Sequence, residues 1–122
     1  MTMRFGVFIP QGWRTDMVGI DPAQHWSTMS TLAKRADSGP WESIWVYDHF
    51  HTTTRVVGAD GDERELAGYG NLPGVGTPEQ IIEKLSALKA AGMSYAVTYF
   101  PVAADDTSGI ELFEKQVIPA LQ

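Results

Sequence analysis

The residues best suited to chemistry are a carboxylate and two imidazoles, Asp48, His49 and His51, which follow the apolar run at 44–47. An imidazole titrates near neutral pH and can therefore donate or accept a proton in a reaction. A neighbouring carboxylate can fix the tautomer of that imidazole or accept a hydrogen bond from a ligand hydroxyl. The chain has no cysteine, which excludes thiolate nucleophiles and Cys-based metal sites. Because ligands of α/β proteins bind at the carboxyl ends of parallel strands, these three residues lie where chemistry is expected.

Other chemistry is less well supported. His49 and His51 would share one face of a strand and could chelate a metal, but no third ligand is evident, so we predict no metal site. The glycines before Thr77 lack the Lys-Ser/Thr ending of a phosphate-binding loop, and a linker followed by a helix cap explains them better. No Gly-x-Ser-x-Gly motif is present, so a serine hydrolase is not indicated.

The first 51 residues predict a β-α-β unit that would position this chemistry. An apolar strand at 3–9 stops at Pro10, and Asp21-Pro22-Ala23-Gln24 has the form of a capping box. The helix that follows places an apolar stripe on one face and ends at Gly39-Pro40; the stripe is Trp26, Met29, Ala33 and Ala36. The second strand, at 44–47, lacks polar alternation, which is typical of a parallel strand covered on both faces.

The rest of the chain predicts a long glycine-rich loop at 52–76 and then an α-β-α unit at 77–122. Thr77 and Gln80 form a capping box, a third strand covers 93–102, and Ser108 with Glu111 form another box before the last helix. Pro119 should fray or kink the last turn of that helix. We therefore predict a single α/β domain over residues 1–122 with three parallel strands and three helices.

The amino-acid composition limits the classes of molecule that the protein is expected to bind. A net charge of −6 and a pI near 4.8 disfavour nucleic acid and anionic membranes, which both require clustered Lys and Arg. The sequence shows no membrane-length apolar stretch and no signal-peptide pattern, so a cytoplasmic protein that acts on small molecules is expected.

Two blocks of sequence resemble the luciferase-like monooxygenases, especially the branch that uses a deazaflavin. The first contains Arg4-Phe5-Gly6-Val7-Phe8-Ile9-Pro10-Gln11 and Ile44-Trp45-Val46-Tyr47-Asp48-His49-Phe50, and it resembles the beginning of that family. The second runs from Gly76-Thr77-Pro78-Glu79-Gln80-Ile81 to Ser108-Gly109-Ile110-Glu111-Leu112-Phe113, and it resembles the end. The resemblance implies an oxidoreductase that transfers a hydride with a small organic substrate.

The same resemblance implies part of a (β/α)8 barrel, a fold of roughly 250 residues, with the middle of the barrel missing. In a closed barrel the last strand neighbours the first, so the expected strand order is 2-1-3. With every helix on one face, the crossover from strand two to strand three would be left-handed, which is rare. Either the middle helix moves to the opposite face, or a partner covers a bare inner face. The sequence leaves both arrangements open, and because three strands left bare on one side would expose apolar side chains, we expect a homo-oligomer.

By resemblance, Asp48 and His49 bind the cofactor, which is FMN or a deazaflavin (coenzyme F-420), and His49 is the catalytic residue. Gln11, after the first strand, is a further candidate to bind the cofactor, and Tyr99 with Phe100, at the end of the third strand, are candidates to line the cleft. The alternative is a non-catalytic remnant that acts as a self-associating or partner-binding module, because a substrate pocket needs walls that the missing strands would supply.

Overall fold

The computed structural model describes residues 2–12, 16–47 and 73–122, and the elements below belong to those ranges. The strands are β1 (Arg4–Phe8), β2 (Ser43–Trp45) and β3 (Tyr95–Thr98). Helix α1 (His25–Asp37) follows a 3-10 turn at Pro22–Gln24, and α2 (Pro78–Ala90) precedes β3. The C-terminal helix consists of α3 (Ser108–Leu112), a π-helical turn (Phe113–Val117) and α4 (Ile118–Leu121).

The sheet has the order β2-β1-β3, and both pairs of neighbouring strands are parallel. Val7 in the central strand is opposite Ile44 on one side and Thr98 on the other. The predicted α/β class, the strand order 2-1-3 and the three helices are confirmed. Because the strands are parallel, their carboxyl ends all lie at one edge of the sheet.

One face of the sheet carries the hydrophobic core. Phe5, Val7 and Ile9 alternate along the central strand, and each is almost completely buried. The same cluster takes in buried residues from every helix, namely Leu32, Ala36, Ile81, Leu85, Ile110, Phe113, Val117, Ile118 and Leu121. The middle helix α2 therefore packs on the same side as α1 and the C-terminal helix. Of the two predicted arrangements, the structure has the one with helices on a single face.

The opposite, open face of the sheet carries Gly6, Phe8, Trp45 and Val97. Trp45 is 44% exposed and Val97 is 39% exposed. Strand β2 lies at the edge of the described sheet, and Ile44 and Val46 are also exposed, at 46% and 61%. The prediction that this strand is covered on both faces is wrong for its described residues, since Ile44, Trp45 and Val46 are all exposed.

The start of α1 differs from its prediction. Asp21 accepts a hydrogen bond from Ala23 N at 3.0 Å and caps the short 3-10 turn rather than α1, and the Gln24 side chain makes no capping bond. Trp26 is 77% exposed, so its predicted place on the buried stripe is wrong. The rest of the predicted stripe does meet the core: Ala36 is buried with Leu32, and Met29 and Ala33 are partly buried against the cluster.

Of the capping boxes predicted for the other two helices, one is confirmed and one is wrong. Thr77 and Gln80 form the predicted capping box, with bonds of 3.3 and 2.9 Å. The box predicted for Ser108 and Glu111 is wrong, because Ser108 is the first residue of the helix and its N-cap, Thr107, makes no side-chain capping bond. Ser108 N donates to Asp106 Oδ1 at 2.9 Å.

Where the sequence predicts fraying or a kink at Pro119, the structure has a π-helical turn directly before the last helical segment. Ile118 N donates to Phe113 O, one residue further back than in an α-helix. Proline has no N–H to donate to the preceding turn, so a wider turn before Pro119 loses no backbone bond there.

Candidate functional site

The carboxyl ends of β1 and β2 are joined by a side chain that the sequence singled out. The Gln11 side-chain oxygen accepts a hydrogen bond from Tyr47 N. This bond fixes the first residues after β1 beside the last described residue after β2. Asp48, His49 and His51 follow Tyr47 in sequence and lie outside the described residues, as does most of the loop predicted at 52–76, so their predicted roles stay predictions. The Gln11 oxygen has a structural partner, and its predicted contact with a cofactor also stays a prediction.

Three aromatic rings at this edge, Phe8, Tyr47 and Tyr99, form what we call the aromatic triad. The Phe8 and Tyr47 rings stack in parallel with centroids 4.3 Å apart. The Tyr99 ring meets Tyr47 edge-on at 6.3 Å. Each strand supplies one ring at or just after its carboxyl end. Such rings provide a rigid, flat surface, which suits contact with a planar ligand.

A buried carboxylate beside the aromatic triad was missed at the level of sequence. Asp16 is only 6% exposed. It accepts hydrogen bonds from Gly12 N at 2.7 Å and from the Tyr99 hydroxyl at 2.8 Å. Gly12 has a φ of +84°, a conformation that favours glycine and turns its N–H toward Asp16. The one available signal was the pairing of a glycine with an acid four residues later, directly after a strand.

The amino half of the open face is filled by its own side chains. The Trp45 indole lies against Gly6, where an added Cβ would come within 2.7 Å of the indole nitrogen. Trp45 Nε1 donates to Ser43 Oγ at 2.7 Å, and Ser43 Oγ is also hydrogen-bonded to the Tyr95 hydroxyl. The Arg4 guanidinium sits 5.2 Å from the Tyr95 ring centre. These contacts occupy the amino half of the open face.

The remaining candidates have structural surroundings. Phe100 packs edge-on against Trp41 and Phe113 in the core, at 6.2 and 5.7 Å, and does not line the open face. His25 Nε2 is 3.0 Å from the Ile20 carbonyl oxygen. Within the described ranges, no three His, Cys, Asp or Glu side chains are grouped to hold a metal ion. Likewise, none of the described helices has the length and apolar character needed to cross a membrane.

Comparison with known proteins gives one partial likeness. A 5,10-methylenetetrahydromethanopterin reductase from Archaeoglobus fulgidus is 36% identical over 47 residues, which make up 38% of this chain and 14% of that relative. The match thus spans about one seventh of the relative's length. No family model matches the chain, and no solved structure matches it. The likeness is confined to this segment and does not extend to the whole chain.

Proposed function

We propose that this chain is an oxidoreductase of the luciferase-like kind that binds a deazaflavin at the carboxyl ends of its strands and transfers a hydride with a small organic substrate. The observation that carries the proposal is the convergence at one sheet edge of Gln11, Tyr47 and Tyr99, beside a buried Asp16. In α/β proteins ligands bind at this edge. The partial likeness to a reductase supports the same reaction class.

The described residues fit such a cofactor chemically. The aromatic triad offers flat apolar contact for a planar ring, and the Gln11 amide offers a polar group beside it. The deazaflavin, when bound, supplies the hydride chemistry.

The proposed roles of Asp48 and His49 rest on resemblance and on their position directly after Tyr47 in the sequence. Asp48 would hold polar groups of the cofactor, and His49 would give or take a proton at its imidazole. A cytoplasmic location goes with this function.

A fluorescence titration tests the cofactor. Purified protein is titrated with the deazaflavin coenzyme and, in parallel, with FMN. We expect binding of the deazaflavin in the micromolar range, on the order of 8 kcal/mol. His49→Ala and Asp48→Ala should each weaken it about tenfold. His25→Ala is the matched control, because His25 bonds to Ile20 O in the helix region and should leave affinity unchanged. Folded wild-type protein that binds neither cofactor would contradict the proposal.

A second candidate function, a self-associating module, is favoured by the open sheet face. Parallel sheets are almost always covered on both faces, yet Trp45 and Val97 are substantially exposed on this one. A second copy of the chain would cover these side chains. The net charge of −6 opposes association only at long range and is screened by salt.

Sedimentation velocity over a range of concentrations separates the two candidates. A module of this kind forms dimers that Val97→Lys disrupts, since a lysine ammonium would be buried in the interface. Val18→Lys is the control, because Val18 is 78% exposed and lies in the loop after β1 rather than on the sheet. A monomer at every concentration would rule out self-association and leave the cofactor proposal standing.

A further inference from the structure

We propose that Asp16, acting through the hydroxyl of Tyr99, is a positioning residue for the cofactor site at the end of β2. This role rests on the proposed function and goes beyond it, because neither residue belongs to the pair that the resemblance implies. The chain of contacts runs from a buried carboxylate to a phenol, and from that ring to Tyr47.

The first link is a hydrogen bond between two elements that are distant in sequence. The Tyr99 hydroxyl donates to Asp16 Oδ2 at 2.8 Å, which joins the loop after β1 to the residue after β3. Gly12 N holds the other carboxylate oxygen, Oδ1, at 2.7 Å. A carboxylate that is 6% exposed needs such donors, because burial without them is costly. The two donors therefore fix the carboxylate, and the carboxylate fixes the phenol.

The second link is the ring contact between Tyr99 and Tyr47. With its hydroxyl held, Tyr99 presents its ring edge-on to Tyr47, with centroids 6.3 Å apart and planes at 81°. Tyr47 is also held by Phe8 on its ring and by Gln11 on its backbone N–H. Loosening Tyr99 therefore loosens the Tyr47 ring within the aromatic triad, which the proposed function places beside the cofactor.

The location of Asp16 and Tyr99 separates their positioning role from a general contribution to stability. Neither Asp16 nor Tyr99 belongs to the main hydrophobic cluster under the helices. Tyr95 provides a direct comparison, since it begins the strand that Tyr99 follows, four residues earlier, and its hydroxyl is also hydrogen-bonded to a side chain, Ser43. The two phenols differ in which end of the sheet they hold.

The experiment compares deazaflavin affinity in matched variants. Tyr99→Phe removes only the hydroxyl, and we expect it to raise the Kd about fivefold to tenfold. Tyr95→Phe makes the same deletion at the amino half and should stay within about twofold of wild type. Asp16→Ala should match Tyr99→Phe or exceed it, whereas Asp16→Asn should lose less. Asparagine keeps an oxygen for Gly12 N and an amide group that can bond to the phenol oxygen.

A double variant shows whether Asp16 acts through Tyr99. If it does, Asp16→Ala combined with Tyr99→Phe raises the Kd about as much as the larger single change, rather than by the product of the two. Circular dichroism and thermal unfolding confirm that each variant is folded at the titration temperature. A purely structural role would lower the unfolding midpoint and leave the Kd of the folded fraction unchanged.

The possible outcomes distinguish failure of the positioning role from failure of the proposed function. Tyr99→Phe and Asp16→Ala variants that bind as wild type does, while His49→Ala binds weakly, would overturn the positioning role and keep the proposed function. Multiplicative effects in the double variant would also overturn it, since the residues would then act independently. Wild-type protein that binds no deazaflavin would overturn the proposed function and the positioning role together.

Discussion

The two faces of the sheet are built on different principles, although they alternate residue by residue along the same strand. Phe5 and Val7 point into a core that receives side chains from every helix, and both are at most 2% exposed. Gly6 and Phe8, which alternate with these residues, point to the opposite face. There they lie against the Trp45 side chain of β2, which is itself partly exposed to solvent. The covered face is held by apolar burial, while the open face is held by ring contacts and hydrogen bonds between side chains.

The comparison teaches where function and stability are separable. Burial of large apolar groups dominates folding free energy, so the covered face should carry most of the stability. The open face has less burial to lose and carries the polar and aromatic groups that suit a ligand. Substitutions on the two faces should therefore differ first in stability and only then in binding.

The largest expected effect comes from the covered face. Phe5→Ala removes a ring that is 1% exposed and packs edge-on against Phe113 at 5.5 Å, and it should cost about 4 kcal/mol of unfolding free energy. Phe8→Ala, on the open face, should cost about 1–2 kcal/mol, because that ring is only partly buried. Urea unfolding of both variants measures the difference. Equal losses would show that the two faces do not differ as described.

The next largest loss of stability is expected where the Glu114 side chain is removed from its hydrogen bonds to Arg35 and Trp41. Glu114 in the π-helical turn accepts two bonds from the Arg35 guanidinium, at 3.0 and 3.1 Å, and one from Trp41 Nε1 at 2.7 Å. Glu114→Ala should cost about 2 kcal/mol, because it leaves partly buried donors unpaired. Glu111→Ala removes an exposed pair with Lys115 at 3.8 Å and should cost at most about 0.5 kcal/mol. Thermal unfolding compares the two variants, and similar losses of stability would contradict the role given to the Glu114 hydrogen bonds.

A glycine substitution tests whether the Trp45 indole is packed over Gly6 on the open face. Gly6→Ala places a Cβ within 2.7 Å of both Ser43 Oγ and Trp45 Nε1, so it should displace the indole and cost about 1–2 kcal/mol. Gly109→Ala is the control, since its Cβ would meet Phe100 at an ordinary 3.5 Å within helix α3. That change should stabilise the protein by about 0.5 kcal/mol. Unfolding curves check the signs, and a neutral Gly6→Ala would show that Trp45 is not held over Gly6.

The smallest expected effect is a pH dependence at the rim beyond β3. The backbone and side chain of Ser108 donate hydrogen bonds that lower the pKa of Asp106 from its ordinary value of 3.8. A lowered folded pKa gives stability that is present above 3.8 and is lost as the pH falls through the lower, folded value. Asp106→Asn should therefore flatten the acid side of the stability curve below pH 4 by a small amount. Thermal midpoints from pH 2 to pH 6 measure it, and identical slopes would contradict this capping role.

The sequence predicts the scaffold better than it predicts the site. Strand order, the parallel sheet and the Thr77 cap follow from local patterns and from the resemblance, and the structure confirms them. Trp26 and the second strand went wrong because periodicity shows which residues are apolar, but it does not show whether anything covers them. A missing cover is a property of the whole fold.

Asp16 shows why part of the site could not be predicted. Its partner Tyr99 is 83 residues away in the chain, and nothing local to either residue indicates that they meet. Gln11 was singled out for a cofactor, and the structure adds a backbone contact at Tyr47 that no sequence pattern indicates. Long-range polar pairs of this kind depend on the register of the sheet, which the sequence fixes only through tertiary packing.

The most direct test of the central claim, that a deazaflavin binds at the carboxyl end of the open face, is an amide NMR titration of 15N-labelled protein with the coenzyme. We predict that the largest shift changes fall on Gln11, Gly12, Asp16, Tyr47 and Tyr99, with little change at Leu85 or Val117 under the helices. Saturating shifts confined to that edge would support the site. Shifts centred on the covered side, or no shifts at all in folded protein, would contradict it.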